Sequence, residues 1–145
     1  MMNSYKHIVQ FYETDKMGVT HHSNYLRFME EARVDFLKNI GWGYDRMEKE
    51  GIISPVVDIS CKYVKPTTFA DEIVIKINVE EVTKTTIRLS YVMNVGGAVV
   101  CLAHSSHCFL NGIGKPINVQ KLYPEFCAAL SSYKIDLIEN SKKEE

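Results

Sequence analysis

Between Phe11 and Arg33 the chain runs FYETDKMGVTHHSNYLRFMEEAR, which gathers an acid, two adjacent histidines and a helix start into one short stretch. Asp15 is a carboxylate at neutral pH, and a carboxylate there can act as general base toward water or attack an activated carbonyl itself. His22 can position that water or the carboxylate. Asn24 and Tyr25 follow in what becomes the first turn of a helix, and that turn holds no Asp or Glu. A helix N-terminus carries roughly half a positive charge on unpaired N–H groups, so the backbone around His22 to Tyr25 is left available for a developing oxyanion. Acyl transfer to water needs these parts. Asp15 in Thr-Asp-Lys-Met-Gly also suits a plain turn, and the residues alone leave both readings open.

The elements that position this stretch can be read from periodicity. Tyr5 to Tyr12 mixes aromatic, branched and polar residues as a half-buried strand does, and Glu13 to Thr20, with Gly18 inside it, supplies turn chemistry. From Ser23 to about Ile40, Tyr25, Phe28, Met29, Ala32, Phe36, Leu37 and Ile40 recur at three- and four-residue spacing, and Gly41 stands where a helix stops. A shorter helix is expected from Tyr44 to Glu50. Four strands follow: Val57 to Tyr63, Ile73 to Val79, Ile87 to Val95, and Val99 to Leu110, the last apolar on both faces. Glu81 to Lys84 and Gly96-Gly97 read as hairpins, Asn111-Gly112 as a closing turn, and Lys121 to Ser132 as a C-terminal helix before a charged tail, Lys142 to Glu145. One strand, one long helix and an antiparallel meander make an α+β domain, and a helix of about 27 Å matches strands of eight residues in length.

Bulk properties narrow the chemistry. A chain of 145 residues, 46% hydrophobic and 24% charged, is expected to be a single domain spanning 1–145, with a core of about 5–133. A net charge of -1 gives no basic field for nucleic acid. Cys61, Cys101, Cys108 and Cys127 stand far apart without a CxxC pair, so neither a zinc ribbon nor a redox dithiol is indicated and a reducing cytoplasm is expected. Ala98 to Ala103 is too short an apolar run to enter a membrane. His104 and His107 fall on opposite faces of a strand, so no metal site is expected, and His21, His104 and His107 are read as structural.

The run Thr14-Asp15-x-Met17-Gly18-Val19-x-His21-His22-x-Asn24-Tyr25-Leu26, followed by Glu30-x-x-Arg33, strongly resembles the 4-hydroxybenzoyl-CoA thioesterase family. Tyr63-x-x-Pro66 and Asp71-x-Ile73 match the same family's pattern, and the resemblance extends over about Tyr5 to Pro116. It implies a hotdog fold, in which a sheet curls around the long helix and subunits pair with active sites at their interface. It implies hydrolysis of an acyl-CoA or acyl-carrier-protein thioester without a cofactor, coenzyme A being part of the substrate. Carried over, the catalytic acid falls on Asp15, the motif histidine on His22, and substrate-binding positions on Tyr25 and Asn24. Where relatives often have tyrosine four residues before the acid, this chain has Phe11, and Tyr12 is expected on the other strand face.

Two charges stand out on the long helix. Arg33 falls inside its apolar arc with Glu30 at the border, which implies a buried pair and makes Glu30 a candidate for support behind the catalytic groups. Lys62, Lys65 and Lys115 are equal candidates for a coenzyme phosphate. Alternatives on the same fold are dehydration or hydration of an acyl thioester and non-catalytic acyl-CoA binding. A dimer or tetramer is expected, because the long helix and the strand from Val99 to Leu110 carry more apolar surface than one thin sheet covers, that strand being a candidate contact.

Overall fold

The computed structural model describes residues 3–133, so the charged tail lies outside the described residues. Five strands form one antiparallel sheet: β1 (Asn3–Ile8), β2 (Val56–Tyr63), β3 (Glu72–Val82), β4 (Thr86–Val95) and β5 (Ala98–Cys108), in the order β1-β3-β4-β5-β2. Helix α1 (Asn24–Asn39) buries Tyr25, Phe28, Met29, Ala32, Phe36 and Leu37 against the inward residues of that sheet. These are Ile73, Ile75, Ile77 and Val79 on β3 and Ile87, Leu89, Tyr91 and Met93 on β4. The two periodicities of the sequence, near 3.6 and 2, thus meet face to face, which is the physical content of this α+β hotdog fold. Gly41 (φ 84°) follows the end of α1, and Gly51 (φ 75°) ends α2 (Tyr44–Glu50) in the left-handed conformation that glycine takes without strain.

Two expected elements differ. Strand β1 stops at Ile8, and Phe11–Glu13 forms a single 3-10 turn, because the Glu13 carboxylate accepts from the Gln10 N–H at 2.7 Å and curls the chain out of the sheet. Tyr12, 83% exposed, therefore sits on that turn rather than on a strand face. The C-terminal helix is two pieces, α3 (Val119–Leu122) and α4 (Pro124–Ser131), because Pro124 has no N–H with which to continue the first.

Nor is β5 apolar on both faces. Its inward end carries Ser105 and His107, both 1% exposed, in a chain where the Tyr91 hydroxyl lies 2.6 Å from Ser105 Oγ and Ser105 Oγ lies 2.8 Å from His107 Nε2. Burial, with the nearby Arg33 charge, pushes His107 down to about 4. Arg33 is buried as expected, but Glu30 is exposed and makes no ion pair with it. The buried pair does not form: residues three apart on α1 have diverged here, one into the core and one to solvent. Strand β5 also has both edges paired, to β4 and β2, so the open edges among the described strands belong to β1 and β2.

Candidate active site

Asp15 sits in a tight loop. Its N–H donates to Val19 O at 2.9 Å, its carbonyl accepts from Gly18 N–H at 3.0 Å, and its Oδ1 accepts from Met17 N–H at 2.8 Å. Gly18 (φ 78°) supplies the left-handed residue that closes this turn. The turn former and the candidate acid are therefore one residue: the local bonds occupy one carboxylate oxygen, and Oδ2 accepts no hydrogen bond among the described residues.

The loop is docked on the segment after β2. Thr20 N–H donates to Thr67 O at 2.8 Å, the Thr20 and Thr67 hydroxyls lie 2.6 Å apart, and Thr68 Oγ1 donates to Gly18 O at 2.7 Å. Tyr25, buried in the first turn of α1, places its hydroxyl 3.0 Å from Thr67 Oγ1, and burial holds that phenol above its ordinary range. From β2, the Tyr63 hydroxyl donates to His22 O at 3.2 Å, and its ring meets Tyr25 edge-on at 5.1 Å. Burial and the adjacent Cys61 push Tyr63 up to about 12, so it remains a donor. Asp15, Met17, Val19, Thr20, His22, Tyr25, Tyr63, Val64, Lys65 and Pro66 line one groove of about 380 Å³. Asp15 also borders a second groove with Glu13, Asn24, Arg27 and Glu31.

At the start of α1 the donors sort themselves. Asn24 and Tyr25 N–H bond back to the carbonyls of His21 and His22 at 3.0 and 3.2 Å, and Ser23 N–H meets His21 Nδ1 at 3.2 Å. The expected reserve of free N–H groups from His22 to Tyr25 thus shrinks to His22, whose N–H has no acceptor among the described residues. The His22 ring is exposed and stacks on His21 at 4.3 Å. Asn24 spends its side-chain N–H on Glu13 O at 2.9 Å, which ties helix to turn. Glu30 lines neither groove. Among the described residues no three His, Cys, Asp or Glu side chains group as a metal site. Thr67 was not foreseen from the sequence, since a lone threonine in a loop carries no pattern.

A protein-family model described as the thioesterase-like superfamily matches residues 9–130, which include every group just placed. The chain belongs to the thioesterase-like superfamily. Its activity is accordingly thioester hydrolysis. A Bacillus subtilis protein provisionally named an acyl-CoA thioesterase is 36% identical over 128 residues, covering 87% of this chain and 93% of its own. A 1,4-dihydroxy-2-naphthoyl-CoA hydrolase of Thermosynechococcus vestitus is 29% identical over 75% of this chain and 76% of its own. The crystal structure of a DHNA-CoA thioesterase from Staphylococcus aureus superimposes with a TM-score of 0.84 and 28% identity over 99% of this chain and 94% of that one. No helix among the described residues is long and apolar enough to cross a membrane.

Proposed function

We propose that this thioesterase acts, as a single domain, on acyl-CoA, with Asp15 as the group that activates or delivers the attacking oxygen. The observation that carries the proposal is the Asp15 carboxylate, fixed through Oδ1 while Oδ2 is left unpaired in a groove it shares with His22 and the N-terminus of α1. In the general-base route Oδ2 takes a proton from water as the water oxygen bonds to the carbonyl carbon. The negative charge on the carbonyl oxygen is met by the His22 N–H at the positive end of α1, then the carbon–sulfur bond breaks and the departing thiolate recovers the proton. In the nucleophilic route the Asp15 oxygen bonds to that carbon first and the carbon–sulfur bond breaks to release the thiolate; water then opens the anhydride at the Asp15 carboxyl carbon, freeing the acid, and the proton it sheds goes to the thiolate. No cofactor enters either route.

The His22 ring, exposed beside the groove, positions the thioester end, Tyr25 forms its wall, and Asn24 holds the helix start to Glu13. Lys65 is favoured over Lys62 and Lys115 for the coenzyme phosphates because it alone of the three lines the groove with Asp15. The motif from Thr14 to Leu26 supports placement with the 4-hydroxybenzoyl-CoA thioesterases inside the superfamily, and the names of two relatives support coenzyme A as the leaving thiol. Self-association through the open edge of β2 and residence in the cytoplasm, where four unpaired cysteines stay reduced, complete the proposal.

The test is thiol release from a panel of acyl-CoAs by the wild type and Asp15→Asn. The variant is expected to keep its fold and lose kcat at least about a hundredfold, roughly 2.7 kcal/mol. Near-normal turnover in the variant would return Asp15 to a turn role. Single turnover in heavy-oxygen water separates the routes, since only the nucleophilic one leaves label in Asp15.

A further inference from the structure

Behind the Asp15 loop lies a cluster that the proposed reaction does not use. His7, on β1 and paired with Ile73 of β3, has an almost buried side chain (10% exposed) packed at a tilt against Phe28 of α1, 4.0 Å between ring centres. Its Nε2 meets Glu13 Oε1 at 2.8 Å, and its Nδ1 lies 2.8 Å from Glu31 Oε2. Glu13 stands on the 3-10 turn and Glu31 on α1. One imidazole thus joins three elements: a sheet strand, the turn that begins the Asp15 loop, and the helix that follows it.

Glu13 is where this matters. Its side chain is 6% exposed, and its Oε1 also accepts from Gln10 N–H. Its backbone carbonyl accepts from His21 N–H at 2.8 Å and from Asn24 Nδ2 at 2.9 Å. The carbonyl therefore closes the base of the loop from Thr14 to Thr20, whose two ends pair with each other, and fastens that base to the first residue of α1. Asp15 is two residues beyond Glu13 and His22 is next to His21, so the separation of the acid from the unpaired N–H is set by what Glu13 bonds. A buried carboxylate without a partner is costly, and His7 is its side-chain partner. Removing the imidazole leaves Glu13 the choice of a buried charge held by the Gln10 N–H alone or a move toward water, and the move drags the loop.

We propose that His7 is a positioning residue for the thioesterase reaction: through Glu13 it holds the Asp15 loop in register with the N-terminus of α1. It touches no reacting atom. The proposal rests on the catalytic assignment of Asp15, but its mechanical half can be read without turnover.

Two measurements on full-length His7→Ala and His7→Gln test it. Amide hydrogen exchange is expected to rise at Asp15 and His21, whose N–H groups close the loop, while β3, β4 and β5 keep wild-type protection. In the acyl-CoA assay kcat is expected to fall ten- to a hundredfold in His7→Ala with KM changed less than threefold, because the groove walls stay in place. His7→Gln, which returns an N–H donor to Glu13, is expected to recover part of both losses, and Glu13→Ala to reproduce them. If His7→Ala keeps wild-type exchange at Asp15 and His21, the proposal fails. It fails equally if protection is lost uniformly across the sheet, since His7 would then be only a packing residue. Failure of the catalytic reading is distinguishable: loop exchange would rise as expected while Asp15→Asn itself kept normal turnover.

Discussion

Asp15 combines two roles that sequence patterns treat as alternatives. The turn uses Oδ1 and the backbone, and because a carboxylate has two oxygens the chemistry still has Oδ2. The sequence motif put Asp15, His22 and Tyr25 in one short stretch, and the fold sets all three around one groove, but the motif could not tell which donors at the helix start were already spent. That depends on local turn bonds formed only when the chain folds. Lys65 allows the binding side to be separated from the chemistry. If it meets a coenzyme phosphate, Lys65→Ala should raise KM for an acyl-CoA about three- to tenfold with kcat unchanged, and the effect should shrink at high salt. The same variant should show no KM change for an acyl thioester of a thiol that lacks the nucleotide. Equal effects on both thioesters would remove Lys65 from the phosphate site.

The long helix and strands β3 and β4 were legible because each buries one face, and burial of one face writes a period into the sequence; β5 was placed by its apolar run, but its faces were misread. What was not legible is the docking of the Asp15 loop, since its partner Thr67 lies 47 residues from Thr20 and neither residue has periodic neighbours. The end of β1 was missed for a related reason: a bond from the Gln10 N–H to the Glu13 carboxylate, not hydrophobicity, ends the strand. Thr67→Val tests this docking with little change of volume. It removes the hydroxyl that meets Thr20 Oγ1 and Tyr25 OH, leaving the buried Tyr25 hydroxyl unpaired. A loss of about 1–3 kcal/mol is expected in chemical denaturation, together with a fall in kcat, because the wall of the groove and the loop part company. Unchanged stability would mean that the loop is held by its backbone bonds alone.

At the scale of the whole molecule, β2 is the exposed feature: Val57 is 63% and Tyr63 48% exposed on a strand with one unpaired edge, and Tyr63 is also a wall of the groove. An open apolar edge invites a second strand. Val57→Lys is expected to shift sedimentation toward the monomer and to lower thiol release with it; a wild type that sediments only as a monomer at micromolar concentration would end the proposal of self-association through β2. The core makes a different demand, this time on pH. His107 is 1% exposed and bonded to Ser105, and its burial, with the Arg33 charge facing it, holds it at about 4 against an ordinary 6.5. The folded protein therefore keeps His107 neutral while the unfolded chain begins to take up a proton near pH 6.5. Above that value the contribution to stability is fully present, and it is lost as the pH falls from 6.5 toward 4, at up to about 1.4 kcal/mol per unit. Between pH 7 and pH 5 the loss should approach about 2 kcal/mol, seen as a falling urea midpoint. His107→Asn is expected to be less stable at pH 7 but to show a flatter midpoint over the same interval. The interval lies above the ordinary range of the carboxylates, so the difference in slope between the two proteins isolates the imidazole. Parallel slopes would mean that His107 takes up its proton in the fold as readily as in the unfolded chain, and that the Arg33 charge is balanced by some other means.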